Sequence, residues 1–157
     1  MPYPQRVGKP LPLIAMAGGF ATEDQIYKCL ALGAPYVGMI AIGRAAMAAA
    51  TVGRQVGEAL KKGEVPKGYT RFGSTMDEVF ADLRMLKAEY GEEALHLPPG
   101  VIGLYSYLNH VSVGLKQFMA LNRKFALQCI DREDIVPLTE LAAKTTGLAT
   151  YDALLKK

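Results

Sequence analysis

The sequence predicts an α/β fold in which a short βαβα segment is followed by an all-helical extension, so that the chain is mostly helical overall. Two continuous apolar runs, residues 13–17 and 36–42, each end at a glycine and are each followed at once by helical periodicity. Beyond residue 63, apolar residues recur only at helical spacing. We therefore expect two parts, residues 1–63 and residues 64–157.

The composition is that of a globular protein and excludes several classes of function. Of the 157 residues, 50% are hydrophobic and 21% are charged, and the formal net charge is only +3. The basic residues are scattered, so neither nucleic acid nor a membrane is an expected partner. Since no signal peptide and no run of 18 apolar residues occurs, we expect a cytoplasmic protein.

The few cysteines and histidines do not predict a metal site. Cys29 and Cys129 lie a hundred positions apart and are expected to be reduced thiols. His96 and His110 do not have the spacing of a metal-binding pair. We therefore predict no metal ligand in this chain.

The first strand and helix are marked by a continuous apolar run and a capping signal. Residues 13–17 are apolar without alternation, which predicts a strand buried on both faces, as in a parallel sheet. Thr22 is predicted to cap the following helix, with Gln25 completing a capping box. Gly33 is predicted to end this helix as the residue just beyond its last turn.

The second strand and helix repeat the pattern. Residues 36–42 predict a strand that starts about 23 positions after the first, a spacing that fits a parallel crossover. Residues 45–62 predict a helix that contains Gly53 and Gly57 on one face. Two glycines in a helix cost stability, so they indicate either a close approach to another element or tolerated surface positions.

The rest of the chain, from residue 64 onward, predicts almost only helices. Ser74 is expected to cap a helix that runs to about residue 90, with Asp77 completing a capping box. A long helix is predicted over residues 102–125.

Two further helices are predicted near the end of the sequence. Asp131 is expected to cap the first of them, in which Leu138 would face inward and which Gly147 would end. A short final helix is predicted over residues 151–156.

Two glycine turns carry the candidate functional site. Gly18-Gly19 and Gly43-Arg44 each follow a predicted strand and open a predicted helix. Ligands of parallel α/β folds bind at this edge, where glycine lets backbone N–H groups approach closely. A helix N-terminus favours an anion, and the guanidinium of Arg44 is suited to phosphate oxygens. The pattern predicts a phosphate site, although a glycine pair after a strand is also a common turn.

These residues stand within segments that resemble a known family. The resemblance lies in residues 14–20, 22–26, 31–34 and 42–45, and again in residues 99–105, 114–120 and 123–125. The first set resembles the end of the FMN-binding domain of glutamate-synthase-family proteins, and the second set is similar to the helical C-terminal extension of the glutamate-synthase-like branch. The resemblance covers nearly all of this chain but only the C-terminal portion of the family's domain.

The resemblance implies a (β/α)8 barrel that binds FMN, of which this chain would supply the last two βα units. It implies an oxidoreductase of nitrogen metabolism and amino-acid biosynthesis that forms L-glutamate from 2-oxoglutarate and glutamine-derived ammonia, or a related amino-acid reaction. Carried over by position, Gly18 and Gly19 would form the phosphate loop after strand seven. Gly43 and Arg44 would form the loop after strand eight.

One departure from the family pattern concerns electron transfer. Glutamate synthases hold an iron–sulfur centre on cysteines just after the last strand, whereas residues 45–50 here contain alanine and methionine only. No iron–sulfur ligand is therefore expected in this chain, and glutamate as the product is open to question. Residues that would contact the flavin ring or substrate would lie on other strands, so no catalytic residue is predicted.

The length defines the expected partners. A complete barrel takes roughly 250 residues, so the expected partner is the rest of the barrel, from the same gene product or from a separate subunit. Open strand edges also predict self-association. The alternatives are a subunit of a split barrel, a non-catalytic helical interaction module, or a different barrel that binds a phosphorylated substrate without flavin.

Overall fold

The computed structural model describes residues 12–155, which fold into two strands, seven α-helices and four short 3-10 helices. This mostly helical chain with a small parallel sheet agrees with the predicted α/β class. No helix in the described range is both long and apolar enough to cross a membrane. The strands and α-helices are β1 (Ile14–Ala17), α1 (Glu23–Gly33), β2 (Val37–Ala41), α2 (Arg44–Lys61), α3 (Met76–Val79), α4 (Leu83–Tyr90), α5 (Pro99–Leu121), α6 (Glu140–Thr146) and α7 (Tyr151–Leu155).

The chain divides into two compact units. The first contains the residues up to Ala41 together with those from Gly114 onward, and the second contains Ile42–Val113. The helix α5 contributes its first part to the second unit and its last part to the first. The division at residues 63 and 64 was drawn from the type of secondary structure and stays a prediction.

The two strands pair in parallel, as the βαβ pattern predicted. Ile14 lies opposite Val37, and Ala17 lies opposite Ala41, with one irregularity of register after Ile14. Because the last residues of the two strands are partners, the strands end level with each other. The carboxyl edge of the sheet is therefore formed by Ala17 and Ala41.

The prediction that the first strand is buried on both faces is wrong. All four residues of β1 are exposed, and the preceding Leu13 keeps 71% of its surface accessible. On β2, Met39 is 54% exposed. A continuous apolar run belongs in a sheet covered on both faces, and the described residues provide only two strands and too little cover. The strands thus carry apolar side chains without the neighbours that such side chains require.

The capping signals of α1 are confirmed, but Gly33 has a different role from the predicted one. Thr22 is extended, and its backbone N–H donates to Oε1 of Gln25 at 3.3 Å. Gly33 is the last residue of α1 and does not adopt the left-handed conformation. A Cβ at Gly33 would overlap the side chain of Val37. This glycine is required because β2 begins against the end of α1.

The first unit is held together by α1 and the segments that pack on it. Ile26 and Leu30 are buried, and the ring of Tyr27 lies 5.5 Å from the ring of Phe118 between centroids. The Tyr27 hydroxyl accepts a hydrogen bond of 2.9 Å from Nδ2 of Asn122. The C-terminal end of α5 therefore packs on α1 through the Tyr27–Phe118 ring pair, and the Tyr27 hydroxyl has a hydrogen-bond partner.

A charged segment after α5 fastens the C-terminal residues to α1. The guanidinium of Arg132 donates to the carbonyl oxygen of Leu32 at 2.9 Å and to that of Thr146. Cations are favoured at helix C-termini, where carbonyl groups lack partners. The guanidinium of Arg132 supplies hydrogen bonds to the last turn of α1 and to the last turn of α6. Lys124 Nζ lies 2.8 Å from Oδ2 of Asp131.

The second unit is built around a close crossing of α2 and α5. A Cβ at Gly53 would lie 2.9 Å from Cα of Gly103 and 2.9 Å from the carbonyl oxygen of Pro99, and a Cβ at Gly57 would overlap the Pro99 ring. Of the two explanations for these glycines, the close approach is the one the structure supports. The buried cluster of this unit comprises Val56, Leu60, Phe80, Leu83, Leu86, Ala94 and Ile102.

The single helix predicted from Ser74 with Asp77 is wrong in two respects. The segment forms two helices, α3 and α4, and the cap is Thr75, whose backbone N–H donates to Oε2 of Glu78 at 3.0 Å. Between the helices, Phe80 leaves helical geometry with φ −103° and ψ 80°. Its side chain is buried in the core, so tertiary packing overrides the helical periodicity here.

The last predicted helices are also shifted. Asp131 caps only a 3-10 turn (Arg132–Asp134), and α6 begins later, after the cap Thr139. Pro137 explains the break, because it disfavours helical backbone at the residue before it. The inward position predicted for Leu138 is wrong, since this side chain is 92% exposed. Gly147 ends α6 in the left-handed conformation, as predicted.

The long helix α5 is displaced toward its N-terminus relative to the prediction. It begins at Pro99 and ends at Leu121, whereas residues 102–125 were expected. Proline is favoured at the first helical position because that N–H has no intrahelical acceptor. At the other end, Arg123 has a φ of 56°, which helical backbone does not permit.

We predict that Gly53→Ala destabilises the protein. Alanine ordinarily stabilises a helix relative to glycine by about 1 kcal/mol, but here its Cβ would press on the backbone of α5. Overpacking of this kind should lower the free energy of unfolding by about 1–3 kcal/mol. Urea denaturation measures it, with Gly68→Ala, whose Cβ would meet nothing within 4 Å, as the control. A variant as stable as the parent would show that the helices do not approach this closely.

A second prediction concerns pH. The hydrogen bond from Lys124 lowers the pKa of Asp131 below its ordinary value, followed by the bond from the Glu133 backbone. Because the folded-state pKa is depressed, this stabilisation is present above pH ~4 and is lost as the pH falls through the folded pKa. Asp131→Asn, which keeps a capping oxygen, should therefore lower the melting temperature at pH 7 but not at pH ~2. An equal loss at both values would mean that the charge of Asp131 is not what stabilises this segment.

Candidate functional site

The first candidate turn, Gly18-Gly19, has a backbone that only glycine adopts readily. Its residues have φ of 110° and 78°, in the left-handed half of conformational space. Both residues are exposed, and a Cβ at either would meet nothing within 4 Å. Among the described residues, no turn or loop hydrogen bond is donated by either backbone N–H. The turn therefore presents backbone N–H groups directly after β1 with no Cβ beside them.

The second candidate turn, Gly43-Arg44, forms the start of α2. Gly43 is the N-cap and has no side chain to satisfy the first N–H groups of the helix, and the first turn contains no acidic residue. Arg44 is exposed and makes no ion pair with any described residue. A helix start of this kind keeps free N–H groups and partial positive charge, beside a guanidinium with unused donors.

Each turn follows directly from one of the paired strands. Since Ala17 and Ala41 are partners in the sheet, Gly18 and Ile42 are the next residues along two neighbouring strands. Gly18 and Gly19 belong to the first compact unit, and Gly43 and Arg44 belong to the second.

The start of α1 differs from the start of α2 in its electrostatics. Oε1 of Gln25 accepts from the backbone N–H groups of Ala21, at 2.9 Å, and Thr22. Glu23 and Asp24 add negative charge in the first turn. Hydrogen bonds from Lys28 and then from Thr22 lower the pKa of Asp24 to about 2, so this carboxylate stays ionised. The N-terminus of α1 is therefore already satisfied, and only the N-terminus of α2 remains available for an anion.

Metal chemistry has no support in the part of the chain that the structure describes. No group of three or more histidine, cysteine, aspartate or glutamate side chains there is close enough to hold a metal ion. Cys29 and Cys129 are free thiols, and burial raises the pKa of the Cys29 thiol. A raised pKa leaves less reactive thiolate at neutral pH.

The first unit contains a cavity whose lining does not include the glycine turns. This cavity has a volume of about 1000 Å³, belongs entirely to the first unit, and is lined by the amino ends of the strands, at Leu13, Val37 and Gly38, and by residues 127–133. The glycine turns follow the opposite, carboxyl ends of the same strands. The size of this cavity therefore adds nothing to the prediction of a phosphate site.

A smaller cavity of about 410 Å³ lies within the second unit, where sequence reasoning predicted nothing. Most of its lining is apolar, and its polar members are Tyr69, Asp82, Ser106 and His110. One feature of the sequence could have indicated this cavity. Ser106 and His110 are four residues apart, which places them one turn apart on the same face of α5. Asp82 was missed because residues 80–82 were predicted to continue a helix, whereas the chain bends there.

Comparisons of this chain with protein-family models, with curated proteins and with solved structures gave no match. The function is therefore argued from the residues and their geometry.

Proposed function

We propose that this chain is the C-terminal segment of an FMN-dependent oxidoreductase of the glutamate-synthase type. In this proposal its two strands and their helices are the last two βα units of a (β/α)8 barrel, and its glycine turns contribute the FMN phosphate site. The reaction class is the cytoplasmic formation of glutamate from 2-oxoglutarate and glutamine-derived ammonia, or a related amino-acid reaction. Bound FMN would supply the electron transfer, and the residues of this chain would hold its phosphate.

The observation that carries the proposal is the exposure of apolar side chains on the strands. Residues such as Leu13 and Met39 have the apolar character of a strand inside a parallel sheet, yet more than half of each side chain is accessible. Parallel sheets are normally covered on both faces. The remaining six βα units of a barrel would supply both that cover and further strands at the open edges, which supports the rest of the barrel as the partner.

The two turns fit a phosphate group in different ways. Gly18 and Gly19 offer backbone N–H groups with no Cβ in the way. Gly43 and Arg44 offer an uncapped helix start and a charged fork of donors. Phosphate oxygens bind such groups through charge-assisted hydrogen bonds. All four predicted residues are therefore suited to an anion, and Arg44 supplies the only full charge among them.

The proposal limits what this chain does by itself. The ring of FMN and the substrate would be held by residues on the other six strands, so we assign no catalytic residue here. The isolated chain should bind FMN weakly, because contacts to the phosphate group are only a small fraction of those that a cofactor pocket makes. The absence of cysteines from residues 45–50, just after β2, leaves the route of electron entry to another part of the enzyme or to a partner.

A rival proposal is a non-catalytic helical interaction module. The observation that favours it is the exposure of apolar side chains in the helical tail, where Leu138, Leu141 and Leu155 are all exposed. The upstream coding sequence separates the two proposals. A frame that encodes six further strand–helix units supports the enzyme, and a gene that encodes only this chain supports the module.

We predict that Arg44→Ala weakens FMN binding to the assembled barrel without unfolding it. One charge-assisted contact should be worth about 1.5–3 kcal/mol, a roughly ten- to hundredfold loss of affinity. Arg44→Lys should recover part of this loss, because lysine keeps the positive charge but lacks the paired guanidinium N–H donors that bind two phosphate oxygens at once. Fluorescence quenching of FMN measures the affinity, and Arg54→Ala, an exposed arginine on the same helix, is the control. Unchanged affinity together with a lower melting temperature would make Arg44 a structural residue.

We also predict that the isolated chain self-associates through its strands. Exposed apolar side chains beside open strand edges favour pairing with a second copy. Met39→Lys, on β2, should reduce the mass measured by light scattering toward that of the monomer. Leu138→Lys, in the helical tail, should leave it unchanged. The opposite pattern would favour the interaction module, and a monomeric parent at high concentration would contradict both.

A further inference from the structure

The cavity of the second unit has the chemistry of a binding site for a small organic cation. We propose that it binds a primary amine with a compact apolar body, with the carboxylate of Asp82 as the counter-ion. This site is separate from the proposed FMN phosphate site and does not depend on it.

The body of the cavity suits an apolar group. Its walls include Val52, Val56, Val79 and Phe80, and its lining also includes Gly53 and Gly103, where α2 and α5 approach with no side chains between them. The volume of about 410 Å³ falls within the range of roughly 300–1,000 Å³ that is typical of small-molecule sites. A single aromatic ring or a short branched chain fits this space.

The charge of the cavity selects a cation. Asp82 is the only acidic residue that lines the cavity, and no lysine or arginine lines it. Within the described residues it has no ion-pair partner, and its carboxylate accepts one hydrogen bond, of 3.2 Å, from the neutral amide of Asn109. An anion would be repelled, and a neutral ligand would leave the half-buried carboxylate without a counter-charge.

The position of Asp82 in the fold also supports its role as the counter-ion of a bound cation. It is the N-cap residue of α4, where an aspartate usually accepts a hydrogen bond from the first turn of the helix. Here no side-chain cap bond forms, and the carboxylate instead contacts α5 through Asn109. The carboxylate of this lining residue therefore lies against α5 and does not cap the first turn of α4.

Two further polar residues complete the environment of an ammonium group. Ser106 and His110 lie one turn apart on α5, and both line the cavity. An ammonium group has three N–H donors, and a carboxylate, a hydroxyl oxygen and a neutral imidazole nitrogen are all acceptors. The cavity lining therefore includes several side chains that can accept hydrogen bonds from an ammonium group.

The test compares matched probes on the full chain by fluorine NMR of the ligand. The probes are para-fluorobenzylamine, the neutral para-fluorobenzyl alcohol and the anionic para-fluorobenzoate. We expect the amine to bind saturably, with an affinity on the order of millimolar for a probe of this size, and at least about tenfold more tightly than the alcohol. We expect no saturable binding of the benzoate.

Three variants locate the binding. Asp82→Asn should abolish the preference for the amine over the alcohol, and Ser106→Leu, which fills the cavity from α5, should weaken both probes. Asp152→Asn makes the same chemical change at an exposed position on α7 and should bind as the parent does. Circular dichroism of each variant verifies that the helices are intact.

Several results would overturn the proposal. These are no saturable binding of the amine to the parent, equal affinity for amine and alcohol, or an undiminished preference in Asp82→Asn. An equal loss in Asp152→Asn would show that the amine responds to net charge and not to this cavity. If Asp82→Asn does not fold, Ser106→Leu still decides, because unchanged binding in that folded variant places the amine elsewhere.

Discussion

The parallel pairing of β1 with β2 is the interaction on which the rest of the account depends. Each strand finds its only described hydrogen-bonding partner in the other. Parallel pairing requires a crossover, and α1 provides it. This helix also carries most of the described buried hydrophobic residues of the first unit. The level ends of the strands set the carboxyl edge from which both glycine turns begin. Among the described residues, no other strand pairs with the two outer edges of this sheet, and several of its apolar side chains are exposed.

The elements that could be predicted from the sequence are those determined by local chemistry. Thr22 and Gln25 cap a helix because their side chains reach backbone N–H groups within four residues. Gly147 ends α6 because few other residues tolerate its left-handed backbone. The parallel strands followed from two apolar runs separated by one helix. None of these inferences requires knowledge of distant contacts.

The errors occurred where distant contacts decide the structure. The break at Phe80 buries that ring in a core that α2, α4 and α5 share, which helical periodicity alone does not reveal. Gly33 is a glycine because of Val37, and Gly53 because of Gly103. The candidate anion site likewise combines features that local sequence predicts with features that only the folded structure shows. The four residues of this site stay a prediction. The sequence also predicted that Gln25 caps the start of α1, but it did not indicate the cavity beside Asp82.

Hydrogen exchange of the backbone amides tests most directly the central claim that this sheet is incomplete without further strands. The measurement is made on the full chain at a concentration low enough to prevent self-association. The account predicts rapid exchange for the amides of β1 and β2 and slow exchange in the middle of α5, because the strand pair lacks cover and neighbours. Protection of the strands as strong as that of α5 would contradict it, because the two strands would then form a stable sheet by themselves and would need no barrel to complete them.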